Sequence, residues 1–163
     1  MKLVFNNDNF KPKIAILLPA YNEESNIEYS FEYISSELKK LVQKNIISKD
    51  SVILYIDDGS TDETYKKIKN LKNRDIKIKA ISLKKNYGHQ YALLAAYKYL
   101  LNEVDAFISI DCDLQHDFTK INEFIDLYIN GYDVVNSKRI NRNTDSILKK
   151  IFSNIFYFIY YLI

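Results

Sequence analysis

One pattern constrains this chain more than any other: short apolar runs alternate with stretches of helical spacing. "KIAILLPA" (Lys13–Ala20) is a strand too continuous to be half exposed. "SVILYI" (Ser51–Ile56), "IKIKAISL" (Ile76–Leu83), "AFISI" (Ala106–Ile110) and "YDVVNS" (Tyr132–Ser137) are four more strand candidates. Between them, Ile27, Phe31, Ile34, Leu38 and Leu41 recur at spacings of three or four, the period of a helix face. Ser60-x-x-Glu63 reads as a capping box that starts a second helix. Tyr91–Leu101 and Thr119–Ile129 are further helices, the latter ending near Gly131, a C-cap candidate. A last helix is expected from Thr144. Strand–helix alternation with short connections implies βαβ units: an α/β fold with a mostly parallel sheet flanked by helices. In such sheets ligands bind beyond the carboxyl ends of the strands, so the strand-to-helix turns are where chemistry is expected.

At 163 residues the chain suits one domain with a sizeable core. A net charge of +2 leaves no footprint for a generic nucleic-acid binder. The one cysteine, Cys112, excludes an intramolecular disulfide and fits a reducing compartment. The first residues show no signal-peptide pattern, and no apolar run reaches the length of a membrane span. The nearest approach is the final "IFSNIFYFIYYLI", thirteen residues long.

Three polar turns follow the apolar runs. The first, "PAYNEES", has Pro19 to end the strand, Asn22 or Ser25 to cap a helix, and Glu23 and Glu24 for its first turn. The second, "DDGSTDE", uses Gly59 for a tight turn, but turn chemistry does not account for adjacent Asp57 and Asp58. A carboxylate there can accept from a nucleobase N–H or a ribose hydroxyl. The third, "DCDLQHD", places Asp111 and Asp113 on one side of the backbone, separated by Cys112. Two converging carboxylates suit Mg²⁺ or Mn²⁺, which bind through one or two carboxylates plus substrate phosphates. A lone D-x-D is common in surface loops; its position after a buried strand is what raises its weight. "KKNYGHQ" (Lys84–Gln90) adds Gly88 and His89 before a helix, His89 being equally readable as a solvated, capping or substrate-contacting residue.

"PAYNEE" (19–24), "DDGSTDET" (57–64), "KNYGHQYALLAAY" (85–97), "DCDLQHD" (111–117) and "GYDVV" (131–135) stand in the order and spacing of family 2 glycosyltransferases, which the chain resembles from Lys13 onward. Each motif alone is weak, and the ordered set is specific. Within that family the chain looks most like the polyprenyl-phosphate glycosyltransferases, the group of dolichol-phosphate mannose synthase and undecaprenyl-phosphate glucosyltransferases. The resemblance implies a GT-A fold with a Rossmann-like nucleotide-sugar-binding domain over residues 1–143 and a basic, apolar C-terminal helix over 144–163. It implies an inverting transfer of sugar from a UDP- or GDP-sugar donor to a polyprenyl-phosphate acceptor, at the cytoplasmic face of the cell membrane.

Carried over by position, the resemblance gives Pro19, Tyr21, Glu23 and Asp57 or Asp58 to the nucleoside, with Lys85, Asn86 and Gly88 beside them. Asp111 and Asp113, helped by Gln115, would hold Mg²⁺ or Mn²⁺. Arg139, with Lys149 or Lys150, would meet the acceptor phosphate. Cys112 stands for a usual Ala, the Pro usual after the D-x-D loop is missing, and Lys149–Lys150 replaces a more frequent Arg, which alone binds phosphate bidentately. The chain also stops where family members continue. Asp117 reads as a helix cap and is the one nearby base candidate for a hydroxyl acceptor, which is the second reading; a donor-binding fragment without turnover is the third. From Asn136 onward five cations face one anion beside the apolar tail. That tail could pack on its own domain, lie on an anionic membrane surface, or join two copies of the chain.

Overall fold

The structure, a computed structural model, describes residues 10–71, 75–113 and 120–137. Its order is β1 (Ile14–Ala20), α1 (Ile27–Gln43), β2 (Val52–Asp57), α2 (Thr64–Asn70), β3 (Lys77–Ser82), α3 (His89–Tyr99), β4 (Ala106–Ser109) and α4 (Ile121–Ile129). All strand pairs are parallel, in the order β3-β2-β1-β4. The chain therefore winds from β1 outward to β3, then returns past β1 to place β4 on its other side.

Every residue of β1 and β2 is buried, because helices cover both faces of the sheet. Ile14, Ile16, Leu18 and Ala20 of β1 join Ile53 and Tyr55 of β2 against Ile27, Phe31, Ile34, Leu38 and Leu41 of α1, with Ile68 of α2 and Ile121 and Ile125 of α4. The alternate residues Ala15, Leu17, Val52, Leu54 and Ile56 meet Ala92, Leu93 and Ala96 of α3. This two-sided burial is why KIAILLPA lacks the alternation of a half-exposed strand. Inside the first layer the Tyr55 hydroxyl contacts Ser30 Oγ at 3.1 Å, and Ser30 in turn donates to the Ile27 carbonyl. Burial pushes the Tyr55 phenol well above its ordinary pKa, so it stays a neutral hydrogen-bonding group.

The helix faces follow the sequence pattern, but four expectations need correction, that for Pro19 among them. α1 starts at Ile27 behind Asn26, so Asn22 and Ser25 do not cap it and Glu23 and Glu24 precede it; Glu28 is the acid of its first turn. The Ser60–Glu63 capping box does not form, and α2 starts at Thr64. Tyr132–Ser137 is not a strand: it pairs with no other described segment, and Val134 is 75% exposed. A strand needs a neighbour to satisfy its backbone, and the described chain provides none there. The stop of α4 is as expected, since Gly131 at φ 89° lets its own N–H reach the Tyr128 carbonyl and the Tyr132 N–H reach Leu127, a Schellman closure.

Pro19 lies within β1, opposite Ile56, rather than ending it. Leu17 accepts from the Ile110 N–H on the β4 side, and Ala20 accepts from the Asp58 N–H on the β2 side. By strand alternation, Pro19 faces β4, where it has no N–H to offer. The β1–β4 register accordingly ends at Leu17–Ser109, while β1–β2 continues to Ala20–Asp57. The two strands part there, at the point where the winding reverses.

Ile16 is fully buried in the middle of the sheet. Ile16→Ala is expected to cost about 2–5 kcal/mol in urea unfolding. A loss below about 1 kcal/mol would mean that the site collapses around the missing methyl groups and is not packed as described.

Candidate active site

The site is assembled from the turns after β1, β2 and β4 and the loop before α3, with hydrogen bonds joining the first turn to the second and the second to that loop. In the first two, each backbone finds its partner in the other turn. The Asn22 N–H donates to Ser60 Oγ (3.0 Å), the Glu23 N–H to Thr64 Oγ1 (2.8 Å) and the Glu24 N–H to Asp62 Oδ2 (3.3 Å). In return the Thr61 N–H reaches Asn22 Oδ1 (2.9 Å) and the Glu63 N–H reaches Glu24 Oε2 (2.9 Å). Asn22 manages this at φ 55°, a left-handed conformation that Asn tolerates better than most residues. The Asn22 and Ser60 side chains, read from sequence as helix caps, are thus spent between turns.

Asp57 and Asp58 are buried, at 2% and 3% exposure, and both are engaged. Asp57 accepts from the Ser60 N–H (3.1 Å) and the Ser82 hydroxyl (2.7 Å). Asp58 accepts from two successive amides of the loop before α3, Tyr87 (2.9 Å) and Gly88 (2.8 Å). Hydrogen bonds to a charged acceptor contribute about 1.5–3 kcal/mol each, so Asp58 is a firm clamp. Gly59 makes room for it: a Cβ on Gly59 would lie 2.4 Å from the Lys85 carbonyl carbon and 2.8 Å from Asn86 N. Lys85 and Asn86 are exposed, with the Lys85 ammonium 5.3 Å from the Tyr87 ring.

Beyond β4, Ile110 and Cys112 continue the face packed against α1 and α4. Asp111 and Asp113 between and after them fall on the side of α3, and both are part-exposed. Burial pushes the Cys112 thiol well above its ordinary pKa, and the carboxylates of Glu23, Asp111 and Asp113 raise it further. Cys112 is therefore a neutral core residue rather than a nucleophile. Glu23 of the first turn is part-exposed. Tyr21 is 44% exposed beside it, and Glu23 accepts from the Asn26 side chain (2.6 Å). His89, the first residue of α3, has Nδ1 at 3.6 Å from Asp111 Oδ1.

The structure thus gathers Pro19, Tyr21, Glu23, Asp57, Asp58, Lys85, Asn86, Gly88, Asp111 and Asp113 at one end of the sheet. Gln115, Asp117, Arg139, Lys149, Lys150 and the expected C-terminal helix lie outside the described residues. Among the described residues no group of three His, Cys, Asp or Glu side chains could hold a metal. Two part-exposed carboxylates, with the soft sulfur turned into the core, are still a fitting donor set for a hard cation that completes its shell with phosphate and water.

A model of family 2, "Glycosyl transferase family 2", matches residues 15–162. The chain belongs to this family. Among the family's curated members, an uncharacterized glycosyltransferase of Bacillus subtilis, YkoT, is 36% identical over 140 residues, covering 86% of this chain and 42% of that protein. The undecaprenyl-phosphate 4-deoxy-4-formamido-L-arabinose transferase of Photorhabdus laumondii is 31% identical over 144 residues, covering 88% and 42%. The chain spans about two fifths of the curated relatives it matches. A solved mannosyltransferase, PcManGT from Pyrobaculum calidifontis in complex with GDP-Man and Mn²⁺, aligns with a TM-score of 0.53 at 18% identity, covering 69% of this chain and 31% of that one. That likeness places the sheet and its flanking helices in the GT-A class of folds.

Composition and spacing did not reveal the stitching of the turns, because its partners lie 38 to 41 residues apart. For Gly59→Ala, φ +68° alone costs about 1–3 kcal/mol, and the close loop backbone adds to it. Thermal unfolding should show this loss, with faster amide exchange at Tyr87 and Gly88. An unchanged melting temperature would contradict the close approach.

Proposed function

We propose that this chain is the catalytic domain of an inverting glycosyltransferase that moves a sugar from a UDP- or GDP-sugar to a polyprenyl phosphate. The observation that carries the reading is a pair of part-exposed carboxylates, Asp111 and Asp113, just beyond the last β1–β4 pairing in a family 2 chain. Relatives named for undecaprenyl-phosphate transfer support the acceptor, and a neighbour of like fold that holds GDP-Man and Mn²⁺ supports the donor class.

Asp111 and Asp113, with Gln115, would hold Mg²⁺ or Mn²⁺, which when bound supplies Lewis-acid stabilisation of the charge on the departing nucleoside diphosphate. The part-exposed groups around the gap, Tyr21, Glu23, Lys85, Asn86 and Gly88, would contact the nucleotide. Pro19, Asp57 and Asp58 lie buried beneath them and act by fixing the turns. In the transfer, an acceptor phosphate oxygen forms a bond to the anomeric carbon as the bond to the diphosphate breaks, so displacement from the opposite side inverts that carbon. A phosphate is already anionic near neutral pH, and no general base is required. Positioning and charge neutralisation are, and Arg139 with Lys149 or Lys150 would supply them to the acceptor.

A lipid acceptor would bring the site to the inner face of the membrane, with the basic C-terminal segment against anionic headgroups. No helix among the described residues is long and apolar enough to cross a membrane.

Asp111→Ala and Asp113→Ala should each abolish the Mn²⁺-dependent part of UDP- or GDP-sugar affinity in calorimetry while the unfolding transition stays cooperative. Unaltered affinity in Mn²⁺ would remove both residues from the metal role. Arg139→Ala should leave donor affinity intact and lower transfer to undecaprenyl phosphate by about a hundredfold, the scale of one lost transition-state charge contact. A defect confined to donor binding would contradict the acceptor assignment.

A further inference from the structure

The proposed metal carboxylates pose a problem before any donor arrives. Asp111 and Asp113 stand two residues apart beyond β4, in a site that is only partly open to water. Like charges gathered this way favour side-chain orientations that turn away from one another. His89 is placed against that tendency. His89 Nδ1 lies 3.6 Å from Asp111 Oδ1, within ion-pairing range, and the two side chains are 48% and 43% exposed.

The position of His89 is itself fixed. It follows Gly88, whose N–H is held by Asp58 Oδ2 at 2.8 Å, while Asp58 Oδ1 holds the Tyr87 N–H at 2.9 Å. Lys85 and Asn86 press on Gly59 so closely that no Cβ fits between them. Gly88 then turns at φ 93° and α3 starts at His89. A buried carboxylate at the end of β2 therefore sets where the imidazole stands, and the imidazole stands against a carboxylate beyond β4. Asp111 faces α3 because Ile110 and Cys112 are both committed to the opposite core.

We propose that His89 is a positioning residue whose imidazole holds the Asp111 carboxylate in its cation-binding orientation, with Asp58 fixing His89 through the backbone of Tyr87 and Gly88. The inference rests on the metal-binding reading of Asp111. Its physical basis is that ligand carboxylates work best when an outer group orients them, and removing such a group typically lowers metal affinity by about 10–100-fold.

Two measurements separate this inference from the reading beneath it. In the ligand-free protein at neutral pH, long-range proton–nitrogen correlation reports the ring nitrogens of His89, told apart from those of His116 by His116→Gln. Asp111→Asn should shift the His89 ring nitrogens, and Asp113→Asn should leave them in place. Indifference of His89 to Asp111→Asn overturns the contact, whatever the protein binds. The second measurement is Mn²⁺-dependent affinity for UDP and GDP. His89→Ala should weaken it by about tenfold or more. His89→Asn, which keeps an N–H near the place of Nδ1, should recover most of that loss, and His89→Ala should add nothing to Asp111→Asn. An equal loss with and without Mn²⁺ would show that His89 touches the nucleotide itself and would overturn the positioning role, as would no loss. Absence of any Mn²⁺-dependent nucleotide binding in the unaltered chain would overturn the metal reading instead, and the nitrogen shifts would still decide the His89–Asp111 contact.

Discussion

Burial of β1 on both faces is the constraint from which the rest of the structure follows. With its side chains committed to two cores, the strand can present polar chemistry only at its carboxyl end. The same holds for β2. Whatever these two strands contribute to a ligand must therefore sit on the turns that leave them, and those turns must be held in place without a core of their own. They are held by each other. Asn22, Glu24, Ser60, Asp62 and Thr64 exchange backbone and side-chain hydrogen bonds between the first two turns, and Asp58 ties the second to the loop that starts α3.

Pro19 gives that end of the sheet its opening. A residue with an N–H at this position would extend the β1–β4 ladder by one more bond, to the Ile110 carbonyl. Proline cannot, so the β1–β4 pairing ends at Leu17–Ser109 and Asp111 and Asp113 lie beyond it. The gap lies where the winding of the sheet reverses, the usual place for a ligand in an open parallel sheet.

The strands and the buried face of α1 were legible in the sequence because hydrophobic period is a local signal. The Asp-x-Asp pair was legible because Cys112 between the two acids is small and apolar enough to face inward. The helix starts were misread for a physical reason: Ser60 and Asn22 have good capping chemistry, and a local reading gives them a local partner. Their partners are in the other turn, almost forty residues away. Asp58 was hidden in the same way, since its two amides come from Tyr87 and Gly88. Tyr132–Ser137 has the composition of a strand, but pattern alone does not supply the neighbouring backbone that a strand requires.

In the proposed site, the gap between β1 and β4 holds a divalent cation on Asp111 and Asp113 together with a nucleoside diphosphate. Crystals grown with Mn²⁺ and UDP or GDP would locate the manganese by its anomalous scattering. One strong peak at these carboxylates and the diphosphate is expected, with the base lodged beside Tyr21. A nucleotide bound elsewhere, or bound in the gap with the manganese peak away from both aspartates, would contradict it.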